Sequence, residues 1–161
     1  MKRFNMAVDS AIGWHIGLSF ILFCASVPVL QGQHGPPIGA LDHAAWTIRD
    51  GAPTSVSALA QSADGFLWIG SLTGLYRFDG VRFEPFEPPG TQPLPSVSIS
   101  ALLATPDTSL WIGYVAGGVS VVARGRVASY GQGDGLPEGT ITAIARDSVG
   151  SIWVATSTGL A

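Results

Sequence analysis

Three tryptophans set the frame of this chain. Trp68, Trp111 and Trp153 are separated by 43 and 42 residues, and ten residues before each stands an alanine, Ala58, Ala101 and Ala143. Six residues after each stands a glycine, Gly74, Gly117 and Gly159. Self-similarity with a period in the low forties marks stacked copies of one supersecondary unit, none of which buries its apolar face alone.

The first unit, whose middle reads Asp64-Gly65-Phe66-Leu67-Trp68-Ile69-Gly70, has the spacing of a four-stranded antiparallel sheet. Strands are expected over 57–61, 66–70, 75–78 and 81–86, with turns between them. The Asp64-Gly65 and Asp79-Gly80 pairs predict type I′ hairpin turns, which need positive φ at both central residues. The second strand does not alternate apolar with polar residues, so protein must cover both of its faces. A radial stack of small sheets supplies that double cover, and the expected fold is an all-β propeller of four-stranded antiparallel blades. Repeats fall near 57–86, 99–130 and 141–161 within a partial propeller over 44–161. The third unit reaches Gly159-Leu160-Ala161 in the slot of Gly74-Leu75-Tyr76, so about three blades are expected, the third unfinished.

The motif Asp-Gly-x-Leu-Trp-Ile-Gly, followed by Gly74-Leu75-Tyr76-Arg77-Phe78-Asp79-Gly80, resembles the two-component regulator propeller repeat of bacterial membrane sensors. Asp134-Gly135-Leu136-Pro137 is similar to the segment between blades of that family, and Asp50-Gly51-Ala52-Pro53 is a degenerate copy. The second unit departs from the pattern with Asp107-Thr108 in place of Asp-Gly, and the third with Val149-Gly150 and Ala155. The resemblance implies a ligand-sensing propeller outside the cytoplasm, then a membrane crossing, then a histidine kinase or diguanylate cyclase output. It also implies a parent protein that forms a homodimer.

The 161 residues are 12% charged with a net charge of −3, and past residue 33 the only cations are Arg49, Arg77, Arg82, Arg124, Arg126 and Arg146. Nucleic acid, which needs a clustered basic footprint, is excluded as a partner, and these arginines read as a solvated surface. Lys2 and Arg3 precede an apolar run from Ile16 to Leu30, which is the order of a secretory signal peptide over 1–32. The run is shorter than the roughly 20 residues of a bilayer crossing, so cleavage is favoured over an anchor. Cys24 lies inside this run, which leaves the mature chain without cysteine and suits a periplasmic location. Residues 33–43, with Gly35, Pro36, Pro37 and Gly39, read as a linker. The stretch from Ala44 to Ile48 takes the slot of an outermost strand, as Val127 to Tyr130 does before the third unit.

Candidate chemistry is sparse. His34 and His43 stand before the first repeat with no ligand-spaced cluster, so no metal and no cofactor is expected. Asp64, Asp79, Asp107, Asp134 and Asp147 fall at turn positions, where side-chain capping of the backbone explains them. The three repeat tryptophans, set in continuous apolar strands, are expected between blades rather than under a sugar. Binding is expected on the face where the second-to-third-strand turns and the blade connectors emerge, because loops on a rigid scaffold carry function. Tyr114, Asp134 and Glu138 are the candidates there.

The reading is a non-catalytic, extracytoplasmic sensor segment on the outer side of a bacterial inner membrane. Its expected ligand is extracellular, an oligosaccharide by family analogy. The alternatives are a fragment of a secreted propeller enzyme, a polysaccharide or cyclic-peptide lyase, and a secreted scaffold that binds protein.

Overall fold

The computed structural model describes residues 44–88 and 92–161. The expected signal peptide and the linker, with Cys24, His34 and His43, lie outside the described residues. Among the described residues no helix is long and apolar enough to cross a membrane.

Blade 1 is the sheet β1 (Val56–Gln61), β2 (Leu67–Ser71), β3 (Gly74–Phe78) and β4 (Phe83–Pro85), each strand antiparallel to the next. Blade 2 repeats the order with β5 (Ile99–Ala104), β6 (Leu110–Tyr114), β7 (Val119–Ala123) and β8 (Arg126–Tyr130). Blade 3 is the pair β9 (Ile141–Arg146) and β10 (Ile152–Thr156), with Leu160 bridged to Ala155. The all-β, blade-by-blade architecture expected from the period is present.

The seams between blades explain the shortest part of the repeat. Leu75, Ile99, Leu110, Ile112 and Tyr114 form one buried cluster between blades 1 and 2. Ala101, Val119, Ile141, Ile144 and Val154 form its counterpart between blades 2 and 3. Gly70 has no side chain because the next blade occupies its place: a Cβ there would stand 2.6 Å from Ile99 Cγ2. Gly113 repeats this against Ile141 Cγ2 at 2.5 Å. Hydroxyls cross the same seams. Ser57 donates to the Ile99 carbonyl oxygen at 2.6 Å, Ser98 to that of Leu72 at 3.3 Å and Thr140 to that of Val115 at 2.7 Å. Interiors at crystal-like density tolerate no added methyl at such contacts, so the glycine of Trp-Ile-Gly is a packing requirement.

Several expectations need correction. The β1–β2 loop is not a type I′ turn, since only Gly65, at φ 92, has positive φ. The Gly65 N–H donates to the Ser62 carbonyl and the Ser62 N–H to that of Phe66, a three-residue loop closed by a left-handed residue. The fourth strand begins at Phe83 rather than residue 81, because the Asp79 carboxylate accepts from the N–H groups of Val81 and Arg82 and holds them in the turn. Residues 44–47 form no strand and Ile48–Asp50 is a 3-10 turn; among the described residues no third strand stands beside them to pair with, as β7 pairs with β8. Trp46 sets its ring edge on Phe78 instead, with centroids 5.0 Å apart.

Candidate functional site

The two Asp-Gly-x-Pro connectors fold alike, and this places one side of the site. Asp50 accepts from the Thr47 N–H, and Asp134 from the Gly131 N–H at 2.9 Å, each capping a one-turn 3-10 helix. Asp134 thereby caps the backbone of its own connector through one carboxylate oxygen.

The other side is the β6–β7 loop of blade 2. In blade 1, Ser71 pairs directly with Gly74 across a two-residue loop, and the Ser71 hydroxyl accepts from the Thr73 N–H at 3.1 Å. In blade 3, Thr156 holds an equivalent loop, accepting from the Thr158 N–H at 3.1 Å. Blade 2 carries Tyr114 in that slot. Its ring is 2% exposed, and its hydroxyl donates inward to Ser120, which is in turn bonded to Ser129 at 2.7 Å. Burial pushes the Tyr114 hydroxyl above its ordinary pKa, opposed by the Ser120 bond. With no hydroxyl left to clamp a tight turn, the loop is one residue longer. The Tyr114 N–H bonds the Gly118 carbonyl, and Gly117 and Gly118 both take positive φ. Gly118, not Gly117, therefore holds the place of Gly74, and the repeated six-residue offset after the tryptophan marks different positions in blades 1 and 2.

Between the longer loop and the connector lies a cavity of about 450 Å³ lined by Ala116, Gly117, Gln132, Pro137, Glu138 and Gly139, among others. That volume falls in the range of small-molecule sites. The Gln132 amide donates to Glu138 Oε1 at 2.7 Å, so an amide and a carboxylate are held side by side at the wall. The Thr158 hydroxyl donates to the Glu138 carbonyl and ties the connector to blade 3. Gly117 lies so close to the connector that a Cβ would stand 3.0 Å from the Gly139 carbonyl oxygen, and Gly159 meets the Pro137 ring. Of the expected site residues, Glu138 lines the cavity while Tyr114 and Asp134 serve its framework. Gln132 was not singled out by sequence; its only signal is its place as the second residue after β8.

The tryptophans divide. Trp68 packs against the first seam cluster and meets the Phe86 ring edge-on, with centroids 4.8 Å apart. Trp111 packs against the second and stacks on Tyr130 at 6.3 Å. Trp153, expected between blades, is 46% exposed, because among the described residues no sheet covers that side of blade 3. Among the described residues no group of His, Cys, Asp or Glu could hold a metal ion.

Residues 50–73 and 135–158 match the family described as two component regulator propeller. These segments run from a connector through the second strand of blades 1 and 3, and blade 2, with its altered loops, lies between them. Among solved structures, the chain is similar to the extracellular domain of a protein described as a hybrid two component system, BT3049, of B. thetaiotaomicron, with 24% identity and a TM-score of 0.56. A streptogramin B lyase follows at 18% identity and a TM-score of 0.49. The extracellular domain of a second such system of B. thetaiotaomicron, BT4673, has 23% identity and a TM-score of 0.40. The matches cover 65%, 67% and 66% of this chain but 15%, 40% and 19% of those chains. The first of them shows the propeller fold. No curated protein matches the chain.

Proposed function

We propose that this chain, which carries two-component regulator propeller repeats, is part of an extracytoplasmic sensor that binds a small external ligand and catalyses nothing itself. The observation that carries the reading is the cavity of blade 2. It is built by departures from the repeat, the longer β6–β7 loop and the buried Tyr114, at the end of the blade where the connector also emerges. The side-by-side Gln132 amide and Glu138 carboxylate supply both donors and acceptors at the wall. A neutral oligosaccharide meets that chemistry. The repeat match, and the fold shared with an extracellular domain of a two-component system, support placing the parent on the outer side of a bacterial inner membrane. A membrane crossing and a histidine kinase or diguanylate cyclase module would follow in a homodimeric parent. Ligand binding would act by favouring one of two states of that parent, which requires different affinities for the two.

The test is the output of the full-length protein carrying this chain against a panel of cello-, xylo- and manno-trioses. A graded response to one of them, weakened about tenfold in apparent affinity by Glu138→Gln, as expected for loss of a charged hydrogen bond, supports the reading. Cleavage of a triose by the protein, or a response that Glu138→Gln leaves unchanged, overturns it.

A further inference from the structure

The indole N–H of the repeat tryptophan has a partner in two blades and, among the described residues, none in the third. Trp68 donates to Ser62 Oγ at 3.0 Å, and Trp153 to Asp147 Oδ2 at 3.0 Å; both acceptors are the first residue of the loop before the tryptophan strand. In blade 2 that residue is Thr105, whose hydroxyl bonds Asp107 and the Ser109 carbonyl just as Ser62 bonds Asp64 and the Phe66 carbonyl, but which takes no bond from the tryptophan. None of the described hydrogen bonds takes the Trp111 N–H.

Trp111 lines a cavity. Between the β5–β6 and β9–β10 loops, at the opposite end of β6 from the Glu138 cavity, a space of about 390 Å³ is lined by Thr105, Asp107, Trp111, Val121, Arg146 and Ile152, among others. Arg146 enters none of the described hydrogen bonds, and the one described ion pair joins Arg77 to Glu84. Its guanidinium folds back over its own loop, where Gly150 leaves room: a Cβ at Gly150 would stand 3.1 Å from Arg146 Nη2. Asp107 is occupied, accepting from the Thr105 hydroxyl and from the N–H and hydroxyl of Ser109. The wall therefore offers a planar cation and an indole donor, with no acceptor for either among the described residues, beside an apolar surface.

We propose that this cavity binds a small carboxylic acid as its monoanion, the carboxylate taking the Arg146 guanidinium and the Trp111 N–H, and the carbon frame lying along Val121 and Ile152. A guanidinium fork matches the planar carboxylate in geometry. The single cation and the fixed negative charge of Asp107 disfavour a dianion such as phosphate. Trp111 also packs in the second seam, so an occupant here touches both blades. The site does not depend on the sensor reading, since its residues lie at the other end of the blade from Glu138.

The experiment is calorimetric titration of the full chain with D-glucuronate, benzoate, D-glucose and inorganic phosphate, with the indole N–H resonances followed by NMR. Saturable binding of at least one carboxylate, with the Trp111 indole resonance moving and those of Trp68 and Trp153 still, is expected. Which of the two binds distinguishes a hydroxylated ring from a flat apolar one. Arg146→Gln, at an exposed position, should weaken binding at least about tenfold, and Trp111→Phe about threefold, as charged and neutral hydrogen bonds differ. Glu138→Gln should leave it unchanged. Equal binding of glucose or phosphate, binding that survives Arg146→Gln undiminished, or no binding of either carboxylate overturns the proposal.

Discussion

In blade 1 the β1–β2 loop turns on Gly65 at φ 92 and its tryptophan donates to Ser62; in blade 2 the same loop turns on Thr108 at φ 66 and its tryptophan donates to no described residue. At the other end, blade 1 closes β2–β3 with a two-residue loop clamped by Ser71, and blade 2 uses a longer one around a buried Tyr114. Between those ends the blades are interchangeable: Gly70 meets Ile99 as Gly113 meets Ile141. Seams tolerate no change because both sides would have to move together. Loop ends meet solvent and are free to diverge, and both cavities with unsatisfied or converging polar groups border the blade that diverged.

The largest expected effect tests the sameness of the seams. Gly113→Ala should destabilise the chain by about 3 kcal/mol, the upper part of the range for overpacking a tight interior, measured by urea unfolding of the full chain. Gly70→Ala should match it. Combined with Ile141→Ala, the Gly113→Ala cost should shrink, so that the double variant loses at least about 1 kcal/mol less than the sum of the singles, as contacting residues do. Additive losses would break the seam account.

Next come the tryptophans, equivalent in sequence and unequal in place. Trp68→Ala should cost about 3 kcal/mol, the low end for a buried large aromatic. Trp153→Ala, at a half-exposed ring, should cost less than half of that. Equal losses would show that burial does not separate the two sites.

The smallest effect concerns backbone strain in blade 2. A β-branched residue in the left-handed region is strained by about 1–2 kcal/mol, so Thr108→Gly should raise stability by about 1 kcal/mol after the added freedom of the unfolded chain is subtracted. The reverse change in blade 1, Gly65→Thr, should lower it by a similar amount. A destabilising Thr108→Gly would mean that the threonine side chain makes a contact worth more than its strain.

The blades were legible in the sequence because a period of 43 and 42 residues reports residues that touch the neighbouring unit, and those touch it in the same way each time. Ala101 in the second seam cluster and the glycines after Trp68 and Trp111 are examples. The turn chemistry was less legible. Asp-Gly is compatible with two loop geometries, and only the backbone shows that Asp64 keeps negative φ while Gly65 alone is left-handed. Of the candidate site, Glu138 was legible as a polar connector residue. Gln132, the Trp111 N–H and the stance of Arg146 were not, because the first depends on how its connector folds back to Glu138 and the other two on having no partner among the described residues. Tyr114 stood out for its polarity and proved buried, since Ser120, itself bonded to Ser129, takes its hydroxyl inside the sheet.

The most direct measurement removes the difference between the blades at the proposed ligand site. Deleting Ala116 gives the β6–β7 loop of blade 2 the length of the β2–β3 loop of blade 1 and removes a residue from the wall of the cavity beside Glu138. In the full-length protein, with output followed against the triose that activates it, the account predicts an unfolding midpoint close to that of the parent and a response lost or shifted at least about tenfold, as expected when a ligand loses its polar contacts. An undiminished response from the folded deletion variant would contradict it.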